Sequence, residues 1–170
     1  MSKFNKIYLD MDGVICDFHS RYHELFNYEA GGEGHENERD RKEFSNNWKN
    51  FIATEQFVTL DWFPGGKKLI EYVDTLGIAV EILSSSGGIP FHSEVRDQKT
   101  RWLKSHGLNY PINIVPGRKV KQYFSYPTNI LIDDTLDVIE SFNSAKVPGQ
   151  AIHHKDVDVT IQTLEKLLYT

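Results

Sequence analysis

The chain has 170 residues with 19 basic and 24 acidic side chains, a formal net charge of -5, and a length that suits one domain burying roughly 70% of its unfolded surface, with room for an insertion. The acidic balance excludes the broad polyanion-binding face of a nucleic-acid binder. The single cysteine, Cys16, excludes an internal disulfide and a thiolate zinc cluster, and no apolar run approaches the roughly 18 residues that a bilayer span needs.

Met1 to Lys6 leads directly into a strand with no signal-peptide pattern, so the expectation is a soluble, cytoplasmic protein in a reducing compartment. Cys16, inside the apolar run Val14-Ile15-Cys16, is expected to pack. The strand starting at Lys6 empties into Asp10-Met11-Asp12-Gly13, a polar turn. Strand geometry would project Asp10 and Asp12 to one side. At roughly 4 Å in a surface-like dielectric their repulsion costs on the order of 4 kcal/mol, so a positive partner is expected.

Phe18, Tyr22, Leu25 and Phe26 carry helical spacing over residues 17–26. Residues 29–43 turn glycine-rich and charged, without periodicity, and read as a mobile excursion. Trp48, Phe51 and Phe57 mark a second helix over 44–57. After Pro64-Gly65-Gly66 comes an amphipathic helix from Lys67, stopped by Gly77. Ile78 to Leu83 is a strand emptying into Ser84-Ser85-Ser86-Gly87-Gly88, and residues 92–106 form a helix. Ile112 to Val115 is a strand before Arg118-Lys119-Val120-Lys121 and a short helix. Asn129 to Ile132 is a strand ending in Asp133-Asp134-Thr135, and the series closes with helix 136–145, strand 150–152 and helix 159–168. Strands alternating with helices of about ten residues predict a parallel sheet covered by helices on both faces. There is no internal repeat.

In such a sheet the strand C-termini share one edge, where ligands bind. Asp10-Met11-Asp12, Ser84-Ser85, the Arg118-Lys119 turn and Asp133-Asp134 each follow a strand and therefore converge. Singly, Ser84 to Ser86 and Asp133-Asp134 could be ordinary helix caps; together they define a site. Carboxylates without histidine or cysteine make a hard oxygen site suited to Mg²⁺ rather than zinc. Serine hydroxyls, backbone amides and a lysine make an anion cradle. A dication beside an anion cradle describes phosphoryl transfer, in which one aspartate can attack phosphorus and the other of the Asp10/Asp12 pair can handle protons.

The ordered set Asp10-Met11-Asp12-Gly13-Val14, Ser84, a lysine near 119 and Asp133-Asp134 resembles the four motifs of the haloacid dehalogenase (HAD) phosphatases over nearly the whole chain. Within them, the run to Asp17-Phe18, residues 60–65, Gln98-Lys99-Thr100-Arg101-Trp102 and Leu131-Ile132-Asp133-Asp134 are similar to the 5'(3')-deoxyribonucleotidases. The resemblance implies a HAD-like Rossmannoid parallel sheet, a core of residues 1–14 and 64–170, and a small helical cap of residues 15–63 inserted after the first strand. It implies Asp10 as nucleophile, Asp12 as acid and base, Ser84 and Ser85 on the phosphate, and aromatics Phe18, Trp48 and Phe51 around the base. Mg²⁺ would be held by Asp10, the Asp12 carbonyl and Asp134, with Asp133 beside it.

The family's third motif commonly reads Arg-Asp-Lys, whereas this chain has Arg118-Lys119-Val120-Lys121. Lys119 or Lys121 can therefore supply the phosphate lysine; Lys119, nearer the strand end, is the expected one. No P-loop signature occurs, since Gly65-Gly66-Lys67 lacks the leading glycine. His153-His154 reads as a solvated turn, and Lys67-Lys68 as the wet side of a helix. Trp48, Phe51 and Phe57 can be either cap core or base-stacking wall. The expected partner is a small nucleotide substrate, with no membrane and no long nucleic acid, and a homodimer is compatible with the sequence. Alternatives are a HAD phosphatase acting on a phosphosugar or a nucleic-acid 3'-phosphate, or a catalytically silent binding module of the same fold.

Overall fold

Five short strands, β1 (Lys6–Leu9), β2 (Ala79–Ser85), β3 (Ile112–Val115), β4 (Asn129–Asp133) and β5 (Gln150–His153), pair in parallel in the order β3-β2-β1-β4-β5. The coordinates are those of a computed structural model, which describes residues 2–27 and 38–170. The strands carry their apolar residues mostly between polar ends, as in Ile7 to Leu9 and Ile130 to Ile132, because both faces of a parallel sheet are covered. Ile7 and Leu9 of β1 join one core with helices α3 (Gly66–Asp74), α4 (His92–Ser105) and α6 (Val157–Tyr169). Tyr8, between them, joins the opposite core with α5 (Leu136–Asn143) and the 3₁₀ segment Arg118–Phe124. This alternation follows from the two-residue period of the strand.

The chain leaves central β1 for β2 and β3 on one side, then returns to β4 and β5 on the other. That reversal makes the C-terminal end of β1 a topological switch point. Leu9 is in register with Ile82 of β2 and Ile132 of β4, so Asp10 leaves the sheet between them, its N–H donating to the Ile132 carbonyl at 3.0 Å. The backbone then turns sharply: the Met11 carbonyl accepts from the N–H groups of Val14, Ile15 and Cys16. Gly13 sits at φ +75°, and a Cβ there would collide with the Asp134 carboxylate, so only glycine lets the two turns approach.

Asp17 caps helix α1 (Phe18–Phe26), accepting from the Ser20 N–H at 3.3 Å. Helix α2 (Glu38–Ala53) ends before Glu55, which takes φ 55°, and the 3₁₀ turn Gln56–Thr59 follows. The helix expected over 44–57 therefore runs earlier. Residues 38–43, expected as part of an irregular excursion, are its first turns: Phe44, Trp48 and Phe51 dock on one stripe, and the strong helix formers before them extend it. The remainder of that excursion, residues 29–37, lies outside the described residues.

The solvated turn expected at His153-His154 is not found. His153 ends β5, and His154 is buried with Nδ1 2.7 Å from Thr160 Oγ1 and its ring against Phe63. Asp156 caps α6 immediately afterwards, so the chain folds back over the histidine instead of entering solvent. Among the described residues no helix is long and apolar enough to cross a membrane.

Candidate active site

At the switch point a cleft of about 460 Å³ is lined by Asp10, Asp12, Phe18, His19, Trp48, Ser84, Ser85, Arg118, Lys121 and Asp134, with Gly87, Pro116, Gly117 and Thr135 between them. A roomier cavity, about 690 Å³, opens beside Phe4, Leu76, Ile78 and Leu168 at the other sheet edge, but its lining holds no acid, lysine or histidine side chain. A second cavity, about 530 Å³, does carry charges, Lys49, Glu55, Glu94 and Asp97, but none of the strand-end carboxylates; the smaller cleft gathers those together with Lys121.

Asp10 is buried, and its Oδ1 accepts from the Met11 N–H at 2.8 Å and lies 3.1 Å from Lys121 Nζ. Its second oxygen has no hydrogen-bond partner among the described residues. Lys121, only 3% exposed, also donates to Asp133 Oδ2 at 2.7 Å. Burial acts to strip the proton from this ammonium, but Asp10 and Asp133 outweigh it and raise the lysine above its ordinary value. Burial, then the neighbouring Asp133, pushes the Asp10 carboxyl well above the usual carboxylate range, against the pull of Lys121. One lysine cannot offset three crowded carboxylates. A divalent cation beside them would remove that penalty.

The residues fit such an ion. Oxygens of Asp10, Asp133 and Asp134 lie within 4.8 Å of one another, a hard-donor set of the kind Mg²⁺ takes. Asp133 is the least available, since Lys121 and the Thr135 N–H (2.9 Å) already occupy its two oxygens. Asp134 accepts from the Thr135 hydroxyl at 3.1 Å and meets His19 Nε2 at 3.5 Å. Burial opposes ionisation of Asp134, yet His19 brings its carboxyl below the ordinary value, and the same contact raises the His19 imidazole.

The Asp12 carboxylate is not part of this acidic cluster. Asp12 lies past the end of β1, so its side chain need not follow that of Asp10, and it turns to Lys99 Nζ (3.0 Å) and the Cys16 thiol (3.4 Å). Burial, then the charge of Asp12, keeps the Cys16 thiol well above its usual pKa, so it stays a donor. Lys99 also donates to Ser84 Oγ (2.7 Å) and the Ser85 carbonyl (2.8 Å), with Phe57 under its ammonium. One buried lysine thus ties the turn after β1 to the end of β2.

Lys119 is corrected by the geometry: it is exposed and absent from the cleft lining, while Lys121 reaches Asp10 and Asp133. The 3₁₀ winding is the reason, because three residues per turn put Arg118 and Lys121 on one side and rotate Lys119 away. Phe51 is likewise no wall of the cleft. It is fully buried, edge-on to Phe18 (5.1 Å) and Phe57 (4.9 Å), and serves as core. Phe18 and Trp48 do line the cleft, and Trp48 lies across Gly87, where a Cβ would come within 2.8 Å of the indole.

Sequence reasoning missed His19 and Lys99. His19 carries no pattern signal beyond following Phe18. Lys99 had one: it sits on the stripe Val95, Gln98, Trp102, Leu103, which α4 turns inward. A lysine on a helix's apolar stripe needs a buried acceptor. Lys99→Met is expected to lower stability by about 2 to 3 kcal/mol, below the fully buried range because Asp12 is partly solvated. The exposed Lys104→Met on the same helix should stay within about 0.5 kcal/mol of the parent. Urea unfolding of both variants checks this, and equal small shifts would contradict the buried-pair reading.

No protein-family model and no curated protein matches the chain. Solved structures do match in fold. A hydrolase from Streptococcus pneumoniae TIGR4 is 12% identical with a TM-score of 0.54, covering 96% of this chain and 99% of its own. A Bacillus subtilis protein assigned as the HAD-hydrolase YfnB, bound to magnesium, is 15% identical with a TM-score of 0.55, covering 98% and 99%. A Thermotoga maritima protein assigned as a β-phosphoglucomutase is 14% identical with a TM-score of 0.53, covering 97% and 100%. The five-stranded parallel sheet flanked by helices is thus the HAD-like Rossmannoid fold, as the motifs implied.

Proposed function

We propose that this cleft hydrolyses phosphomonoesters through a phosphoaspartyl intermediate, and that its substrates are deoxynucleoside monophosphates. The observation that carries the reading is the division of labour between the two aspartates. Asp10 has an oxygen with no hydrogen-bond partner among the described residues, beside Lys121 and Asp134, while Asp12 is held apart by Lys99 and Cys16 next to Ser84. Asp10 attacks phosphorus, and the bond to the ester oxygen breaks. Asp12 gives that oxygen its proton, then takes one from the water that cleaves the acyl phosphate and returns Asp10. Asp10 and Asp134, with Asp133 behind them, would hold Mg²⁺, which would supply charge neutralisation for the phosphoryl group.

Residues 15–63 serve as the cap over a core of 1–14 and 64–170. Phe18 and Trp48, edge-on at 5.9 Å, offer a planar base stacking worth roughly 1 to 3 kcal/mol, which a phosphosugar would not gain. The similarity of the Asp10 to Phe18 run to the deoxyribonucleotidases supports the same choice.

A screen over deoxynucleoside monophosphates, sugar phosphates, a 3'-phosphorylated oligonucleotide and an aryl phosphate tests the reading. Deoxynucleotides are expected to lead sugar phosphates by at least about tenfold in kcat/KM, as one stacked ring allows. Trp48→Ala should erode that lead and spare the aryl phosphate. Equal losses on both substrates would make Trp48 core packing only, and no magnesium-dependent hydrolysis of any ester would end the proposal.

A further inference from the structure

The cations nearest the reacting carboxylates have little left for a phosphate. An ammonium has three donors. Those of Lys99 go to Asp12, Ser84 Oγ and the Ser85 carbonyl. Two of the three on Lys121 go to Asp10 and Asp133. In charge, two lysines and one divalent ion would do little more than offset Asp10, Asp12, Asp133 and Asp134, so those groups leave little net positive charge for an arriving phosphate dianion. Among the described residues, the other basic side chains lining the cleft are His19, already turned to Asp134, and Arg118.

Arg118 is placed to supply what is missing. It precedes Lys121 by one 3₁₀ turn and so shares its side of the segment. Its guanidinium carries five N–H donors, and its partner among the described residues is Asp137, in the first turn of α5, at 2.9 Å. Both side chains of that pair are more than half exposed, at 58% and 51%. Asp137 is not among the residues lining the cleft, whereas Arg118 is. An exposed ion pair is weakly held, and a guanidinium matches a phosphate's oxygens two at a time.

We infer that Arg118 is a substrate-gripping arm that rests on Asp137 and exchanges it for the phosphoryl oxygens of the bound ester. Asp137 then acts as a competitor for the arm. Removing the arm and removing its resting partner must have opposite effects on binding, which no packing role for this exposed pair would produce.

The inference rests on the phosphatase reading, and the test separates the two. Inorganic phosphate with Mg²⁺ is titrated calorimetrically into the full chain, and turnover of a deoxynucleoside monophosphate is measured in parallel. Arg118→Ala is expected to weaken phosphate binding and raise KM by about tenfold or more, with Arg118→Lys recovering part of the loss. Asp137→Asn is expected to tighten binding and lower KM by about two- to fivefold, the worth of an exposed pair. In the double variant, Asp137→Asn should have no further effect. If the parent chain turns over normally while Arg118→Ala binds phosphate as tightly as the parent, the arm is refuted and the phosphatase reading stands. The same holds if Asp137→Asn weakens binding. If the parent neither binds phosphate nor hydrolyses any ester, the reading of the site itself falls.

Discussion

Asp10→Asn is expected to reduce phosphomonoester turnover by at least about 10³-fold, the scale on which a covalent nucleophile is lost, with no loss of fold stability. The amide keeps the volume, and its carbonyl can keep the bonds from the Met11 N–H and Lys121 that Asp10 Oδ1 accepts. What it loses is a carboxylate that burial and Asp133 already hold well above the usual range. A group with a raised folded pKa stabilises most below its unfolded value and loses that contribution as pH rises through the folded value. At neutral pH Asp10 is therefore an electrostatic burden without a cation, and the variant should unfold no earlier than the parent. Thermal melts with and without magnesium, beside turnover, read both halves. Retained turnover would end the nucleophile assignment, and early unfolding would make the loss of activity uninformative.

The strands and their order along the chain were legible because a buried parallel strand is written as an apolar run, and Ile7 to Leu9, Ile82-Leu83 and Ile130 to Ile132 are such runs. Convergence of Asp10, Ser84 and Asp133-Asp134 followed from one rule about strand ends. What could not be read was rotation about an axis. Lys119 and Lys121 differ by two residues, and choosing between them requires the winding of the segment 118–124, which a 3₁₀ helix sets differently from an α-helix. Phe51 and Trp48 lie three residues apart on α2 and both meet Phe57, yet Phe51 is fully buried while Trp48 is only partly buried and lines the cleft. Lys99 was hidden by the habit of reading lysine as solvated, although its place among Val95, Trp102 and Leu103 contradicted that. Asp12 shows the limit of the strand argument itself. The alternation that would pair it with Asp10 ends at Leu9, where the turn begins.

Lys121→Met should separate the two lysines and show how the acidic cluster is held. Its ammonium faces Asp10 at 3.1 Å and Asp133 at 2.7 Å, and all three groups are buried. Removing the cation leaves uncompensated carboxylates in a low dielectric, at a cost of about 3 to 5 kcal/mol, whereas exposed Lys119→Ala should change stability by less than about 0.5 kcal/mol. The pH dependence gives the cause away. In the parent, Lys121 holds its proton above the ordinary lysine range, so its stabilisation is complete at neutral pH and is lost only in strong alkali. In the variant Asp10, already pushed upward, loses the group that pulled it down and is pushed further. Its burden is present above that raised value and relieved as pH falls through it. The stability gap between parent and Lys121→Met should therefore be wider at pH 7.5 than at pH 5, because acid relieves the burden of the upshifted Asp10. Urea unfolding at the two pH values measures the gap. A constant gap would mean that the lysine acts by packing its methylenes, and a loss in Lys119→Ala as large as in Lys121→Met would overturn the placement of the phosphate lysine.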